Sequence, residues 1–137
     1  MENVFSSEVI SIEYDSTINV VVMNWKPVYI KTNLYREALE MGLEIVKEKG
    51  AEKWLANLKH MKLISRADEN WTNDIWFPKA LKSTLKWMGM VLSDDVFNKV
   101  AVKKIMSQDQ LNSLIVDHFN CTEDGLDWLK SKKSVAA

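Results

Sequence analysis

"INVVVMNWKPVYIKTNLYREALEMGLEIVKEKG", residues 18–50, decides the fold, because its hydrophobic period changes once along its length. Residues 18–25 are β-branched and almost continuously apolar, the pattern of a strand more buried than its antiparallel neighbour. Pro27 lacks a backbone donor and ends it. From Thr32 the period becomes helical. Tyr35, Ala38, Leu39, Gly42, Ile45 and Val46 share one face, while Arg36, Glu37, Glu40, Glu44, Lys47 and Glu48 face elsewhere. Thr32 or Asn33 is placed to cap the start, and Gly50 stands where a left-handed C-terminal cap belongs.

Working outward, "VISIEYD" (9–15) alternates Ile10, Ile12 and Tyr14 against Ser11 and Glu13, a half-buried strand that pairs antiparallel with its successor across a "DST" turn. Downstream, a strand is expected over residues 53–59. "SRAD" (65–68) has capping-box form and opens a helical region that Pro78 must break or restart. A buried strand is expected over 87–92, and a helix over 93–106 with Phe97, Val100, Ala101 and Ile105 at helical spacing. "LIVDHF" (114–119) reads as the last strand. "NCTEDGLDWLKSKK" (120–133) reads as the last helix, with Thr122 as cap, acids first and lysines last, as the helix dipole favours. The order β-β-α-β-α-β-α-β-α predicts an α/β fold in one domain spanning 1–137, its core at about 8–132. The expected sheet is mixed and mostly parallel, with about five strands, an N-terminal antiparallel hairpin and about four helices. The closing "SVAA" should fray.

Length and composition suit one globular core: 137 residues, 47% apolar, 27% charged and a net charge of −1. Basic and acidic residues are interspersed, so the stripe that phosphate backbones require is missing and nucleic acid is not an expected partner. The single cysteine allows no internal disulfide, and no Cys/His spacing suits zinc. No apolar run approaches a membrane span, and the acidic N-terminus does not read as a signal peptide. A soluble cytoplasmic protein without cofactor or metal is the expectation.

"DHFNC" (117–121) sets an acid, a histidine and the only cysteine within five residues, which invites a nucleophile reading. Asp117 and His118 are neighbours on a strand, however, so their side chains leave opposite faces. Cys121 before a helix could have a lowered pKa, but a small packing residue is the simpler reading. There is no Gly-rich phosphate loop, nucleophile elbow or paired histidine set. The chain is expected not to be an enzyme.

"VDHFNCTEDGLDWL" resembles the closing pattern of SpoIIAA-like proteins, members of the STAS group (sulphate transporter and anti-sigma-factor antagonist domains). Gly125, Trp128 and Leu129 stand at i, i+3 and i+4, so the glycine would let this helix approach the sheet closely. The resemblance runs from about Val9 to Leu129. It takes in the helix ending at Gly50, the strand "KWLANL", the spacing of Trp71, Asp74, Trp76, Pro78 and Ala80, and "MGMVLSDDVF", all similar to an uncharacterised bacterial branch of that group. It implies a central, mostly parallel sheet, no catalytic apparatus, and regulation by binding a partner; in some relatives it implies binding of small or lipid-like molecules.

The resemblance also implies a regulatory serine where a central strand gives way to a helix. In "ANLKHMKLISRADEN" (56–70) the serine nearest the helix start is Ser65, and Asn57 stands near where the family often has an acid. Phosphate there would add charge and bulk and expel a partner. No glycine follows Ser65, its distance from the strand is long, and an N-cap accounts for it fully.

Six tryptophans are many for this length. Trp25, Trp54 and Trp128 read as packing residues. Trp71, Trp76 and Phe77 cluster beside Pro78, where they form core or else line a ligand cleft or dimer face. Asp74 between them is a solvated acid or one with a raised pKa. The sequence therefore carries two functions: a regulatory domain binding a protein partner or a second copy, and a domain holding a small apolar ligand in a pocket walled by Trp71, Trp76, Phe77 and methionines.

Overall fold

A computed structural model describes residues 1–94, 96 and 114–133. The strands are β1 (Glu2–Ser6), β2 (Ile10–Asp15), β3 (Val20–Trp25), β4 (Lys53–Asn57), β5 (Trp87–Val91) and β6 (Ile115–Phe119). They form one sheet in the order β1-β2-β3-β4-β5-β6. β1, β2 and β3 pair antiparallel, and β3 to β6 run parallel in register, with Asn24, Asn57, Val91 and Phe119 on one rung. Helix α1 (Thr32–Lys49) joins β3 to β4. Between β4 and β5 the chain runs through α2 (Arg66–Trp71), a π turn (Thr72–Trp76) and α3 (Phe77–Leu81). After β6 comes α4 (Thr122–Lys130). Residues 95 and 97–106 of the helix expected over 93–106, and the closing "SVAA", lie outside the described residues. No helix among the described residues is long and apolar enough to cross a membrane.

The α/β class, the opening hairpin and the parallel remainder are as expected, but the sheet has six strands rather than five. The extra one, β1, pairs with β2 across an irregularity between Asn3 and Phe5. Val4 and Phe5 therefore both pack against the core. Two adjacent apolar residues in a polar run give no alternation, which is why the sequence hides this strand.

Side-chain alternation gives each sheet face its own core. On one face Ile10, Ile12, Val21, Met23, Trp25, Trp54, Ala56 and Met88 meet the buried side of α1 together with Trp76, Phe77 and Ala80. The six α1 residues buried there are the six that periodicity selects. Gly42 is what lets α1 lie so low, since a Cβ there would collide with the Trp54 ring and stand 3.0 Å from Met23 Sδ. On the other face Val20, Val22, Leu55, Trp87 and Val91 meet Leu129, with Leu126 and Trp128 alongside. Gly125 provides the close approach, its would-be Cβ only 2.8 Å from Leu55 Cδ1.

Three local readings change. The α1 N-cap is Lys31 without a side-chain bond, because the Thr32 hydroxyl is directed to Asp68 instead. Cys121, not Thr122, is the residue before α4, and it too makes no capping bond. Pro78 is accommodated by the π turn, in which the Phe77 N–H reaches back five residues to the Thr72 carbonyl. The widened turn spares Pro78 an i−4 clash and brings consecutive Trp76 and Phe77 both inward.

Candidate functional site

The carboxyl ends of β3 to β6 emerge along one edge, where parallel sheets commonly place their function. From β3 the chain passes through residues 26–31, held by Lys26, whose N–H donates to the Val9 carbonyl at 2.8 Å and whose Nζ donates to the Ser7 carbonyl at 2.8 Å. Ile30 is buried beside Tyr29, which is 77% exposed. From β4 the chain passes through residues 58–65. Leu58, Met61 and Ile64 pack against the core, and the Lys59 ammonium donates to the Asn120 carbonyl at 2.6 Å. Between those anchors Lys62 is exposed and Leu63 stands 95% exposed. Both loops are pinned on either side of their projecting residue, so the fold itself holds Tyr29 and Leu63 in water.

A cross-brace joins these loops. The Asp68 carboxylate, 1% exposed, accepts from the Thr32 hydroxyl at 3.2 Å and from Arg36 Nε at 3.2 Å. Its backbone N–H donates to Ser65 Oγ at 3.1 Å, so the hydroxyl of Ser65 serves as the α2 cap. Thr72 donates its hydroxyl to the Asp68 carbonyl at 2.7 Å and so accepts from Tyr35 OH at 2.7 Å. Burial pushes the Tyr35 phenol upward, and the Thr72 contact opposes that. The Arg36 guanidinium lies 5.2 Å over the Trp71 ring, which is half-buried and edge-on to Tyr35. Lys31 and Arg66 are thus held beside a fixed junction.

The residues singled out from sequence do not form one site. Asn57 faces the other side of the sheet, in a chain where the Lys59 N–H donates to Asn57, Asn57 to Asn24 at 3.0 Å, and Asn24 to Glu13 at 2.8 Å. Trp76 is 2% exposed, donates Nε1–H to the Leu39 carbonyl at 2.9 Å and lies 5.1 Å from Trp54. Phe77 meets it edge-on at 5.1 Å, also buried. Asp74 is exposed on the π turn. Of the tryptophan cluster only Trp71 approaches the edge.

Asp117 and His118 occupy successive rungs, opposite Gly89 and Met90, and so face opposite sides; the hydrogen bond between them comes from the His118 backbone N–H, which donates to Asp117 Oδ1 at 2.8 Å. Burial lowers the His118 pKa and the Asp117 charge offsets part of that. Among the described residues no group of three or more His, Cys, Asp or Glu could hold a metal ion. Two open depressions lie elsewhere, one of about 440 Å³ beside Tyr14 and Lys49, the other of about 500 Å³ between α1 and α3 beside Glu40 and Lys79.

Tyr29, Leu63 and the Arg36–Asp68 brace carry no signal in the sequence: periodicity treats an anchoring Ile64 and a projecting Leu63 alike. No protein-family model, curated protein or solved structure matches the chain.

Proposed function

We propose that this chain is a cytoplasmic, non-enzymatic regulatory domain of STAS-like type that binds a protein partner through the carboxyl edge of its sheet. The observation that carries this reading is the pair Leu63 and Tyr29, 95% and 77% exposed on neighbouring, anchored loops. A single exposed leucine is ordinary. Two large side chains held out on loops that follow neighbouring strands give a partner something to bury, the leucine alone worth about 1.5–3 kcal/mol when fully covered. Tyrosine adds large contact area at little entropic cost.

Topology supports a surface rather than a crevice. In doubly wound sheets a ligand cleft opens where successive crossovers leave on opposite faces. Here the β3–α1–β4 and β4–α2–α3–β5 crossovers both cover the face that holds Trp54, so these two create no switch point at the carboxyl ends of their strands, and the depression between α1 and α3 lies away from that edge. The alternative of an apolar ligand among Trp71, Trp76 and Phe77 gains no support, since Trp76 and Phe77 are interlocked with the core. The STAS-like assignment rests on the order of motifs from Val9 to Leu129.

The test compares wild type with the double variant Tyr29→Ser, Leu63→Ser as baits in extract from the protein's own cells. The proposal expects one protein retained in stoichiometric amount by wild type and lost with the variant, with both baits equally folded. Identical retained sets would contradict it.

A further inference from the structure

On the reading that the carboxyl edge binds a protein, we infer that its partner presents a narrow acidic segment carrying an apolar anchor. Three cations share the loops of the projecting side chains: Lys31 follows Tyr29 and Ile30, Lys62 precedes Leu63, and Arg66 opens α2. All three are exposed, and none makes a salt bridge among the described residues. The Thr32–Asp68 bond at 3.2 Å draws their loops together, since Lys31 precedes Thr32 and Arg66 lies two residues before Asp68. The other cations of these loops are engaged, Lys26 and Lys59 with carbonyls and Arg36 with Asp68.

Acids bound this window on both sides. Glu8 lies in the β1–β2 turn, beside the Ser7 carbonyl that Lys26 holds. Exposed Asp94, Glu123 and Asp124 follow the ends of β5 and β6, and Glu69 continues α2. The basic window is therefore about two strand spacings wide, roughly 10 Å. One helix or one extended segment fits that width. A flat anionic lipid surface would press the flanking acids against its own charge, which disfavours a membrane as the occupant.

The experiment pans a random twelve-residue peptide display library on the folded full chain, then measures fluorescent versions of the enriched peptides by anisotropy. The inference expects convergence on sequences with Asp or Glu flanking Leu, Phe or Trp. It also expects binding to weaken tenfold or more in the triple variant Lys31→Glu, Lys62→Glu, Arg66→Glu, and likewise in 0.5 M salt. Peptides that ignore the charge reversal but are lost with Tyr29→Ser, Leu63→Ser would overturn the acidic partner and leave the edge intact. Peptides indifferent to both variants, or no convergence, would count against the edge as well. Cosedimentation with 70:30 phosphatidylcholine:phosphatidylserine vesicles, abolished by the triple variant, would replace the peptide with a membrane and overturn the inference.

Discussion

Ser65 and Asp68 show how far a local motif can be read. "SRAD" announces an N-cap, and the hydroxyl accepts the Asp68 N–H as that motif requires. The carboxylate does not close the capping box, because Thr32 and Arg36 hold it from another helix; no spacing within residues 65–68 could reveal partners more than thirty residues away. Replacing Ser65 with Ala should cost about 1 kcal/mol in chemical denaturation, and Ser65→Asp, which retains an acceptor, should recover most of it. If Ser65→Asp were no better than Ser65→Ala, the hydroxyl would have a role besides capping. His118 gives a pH signature. Burial puts its native pKa below the ordinary 6.5, so the unfolded chain binds the extra proton. Its contribution is complete above about 6.5 and is lost as pH falls toward and through the native value. Thermal unfolding of His118→Gln should therefore fall less between pH 7.5 and 5 than that of wild type, and equal falls would contradict this account.

At the scale of elements, legibility follows burial. The buried face of α1 is legible to the residue because that side packs entirely on the sheet, and Gly50 adopts φ 64° as the expected left-handed cap, whereas the N-cap falls on Lys31 rather than Thr32 or Asn33. Strand β1 is not legible, because the irregularity near Val4 erases alternation at a half-buried edge. The proline was seen to demand a break, but the form taken, a π turn that buries both Trp76 and Phe77, depends on what the core accepts. Packing of α1 on Trp54 yields a sharp expectation. Gly42→Ala should destabilise the protein by about 1–3 kcal/mol through overpacking, although alanine is the better helix former. Pairing it with Trp54→Phe should reduce that cost, since the ring that Cβ meets is then smaller; an unchanged cost would place the strain elsewhere.

For the molecule as a whole, the class and the strand-helix alternation were legible because they depend on period, which sequence displays directly. The edge was not, because exposure depends on which apolar residues the loops anchor. Met61, Leu63 and Ile64 are equally apolar, yet only Leu63 is left in water. Tyr29→Ser with Leu63→Ser should accordingly leave thermal stability within about 0.5 kcal/mol of wild type, as surface changes do; a larger loss would mean that these side chains pack. The most direct measurement is photo-crosslinking in the protein's own cells, with a benzophenone amino acid at position 63 and, as control, at exposed Glu48 near the far end of α1. A discrete protein adduct at 63 that is missing at 48 is the result this account predicts. Equal or no adducts at the two positions would contradict it.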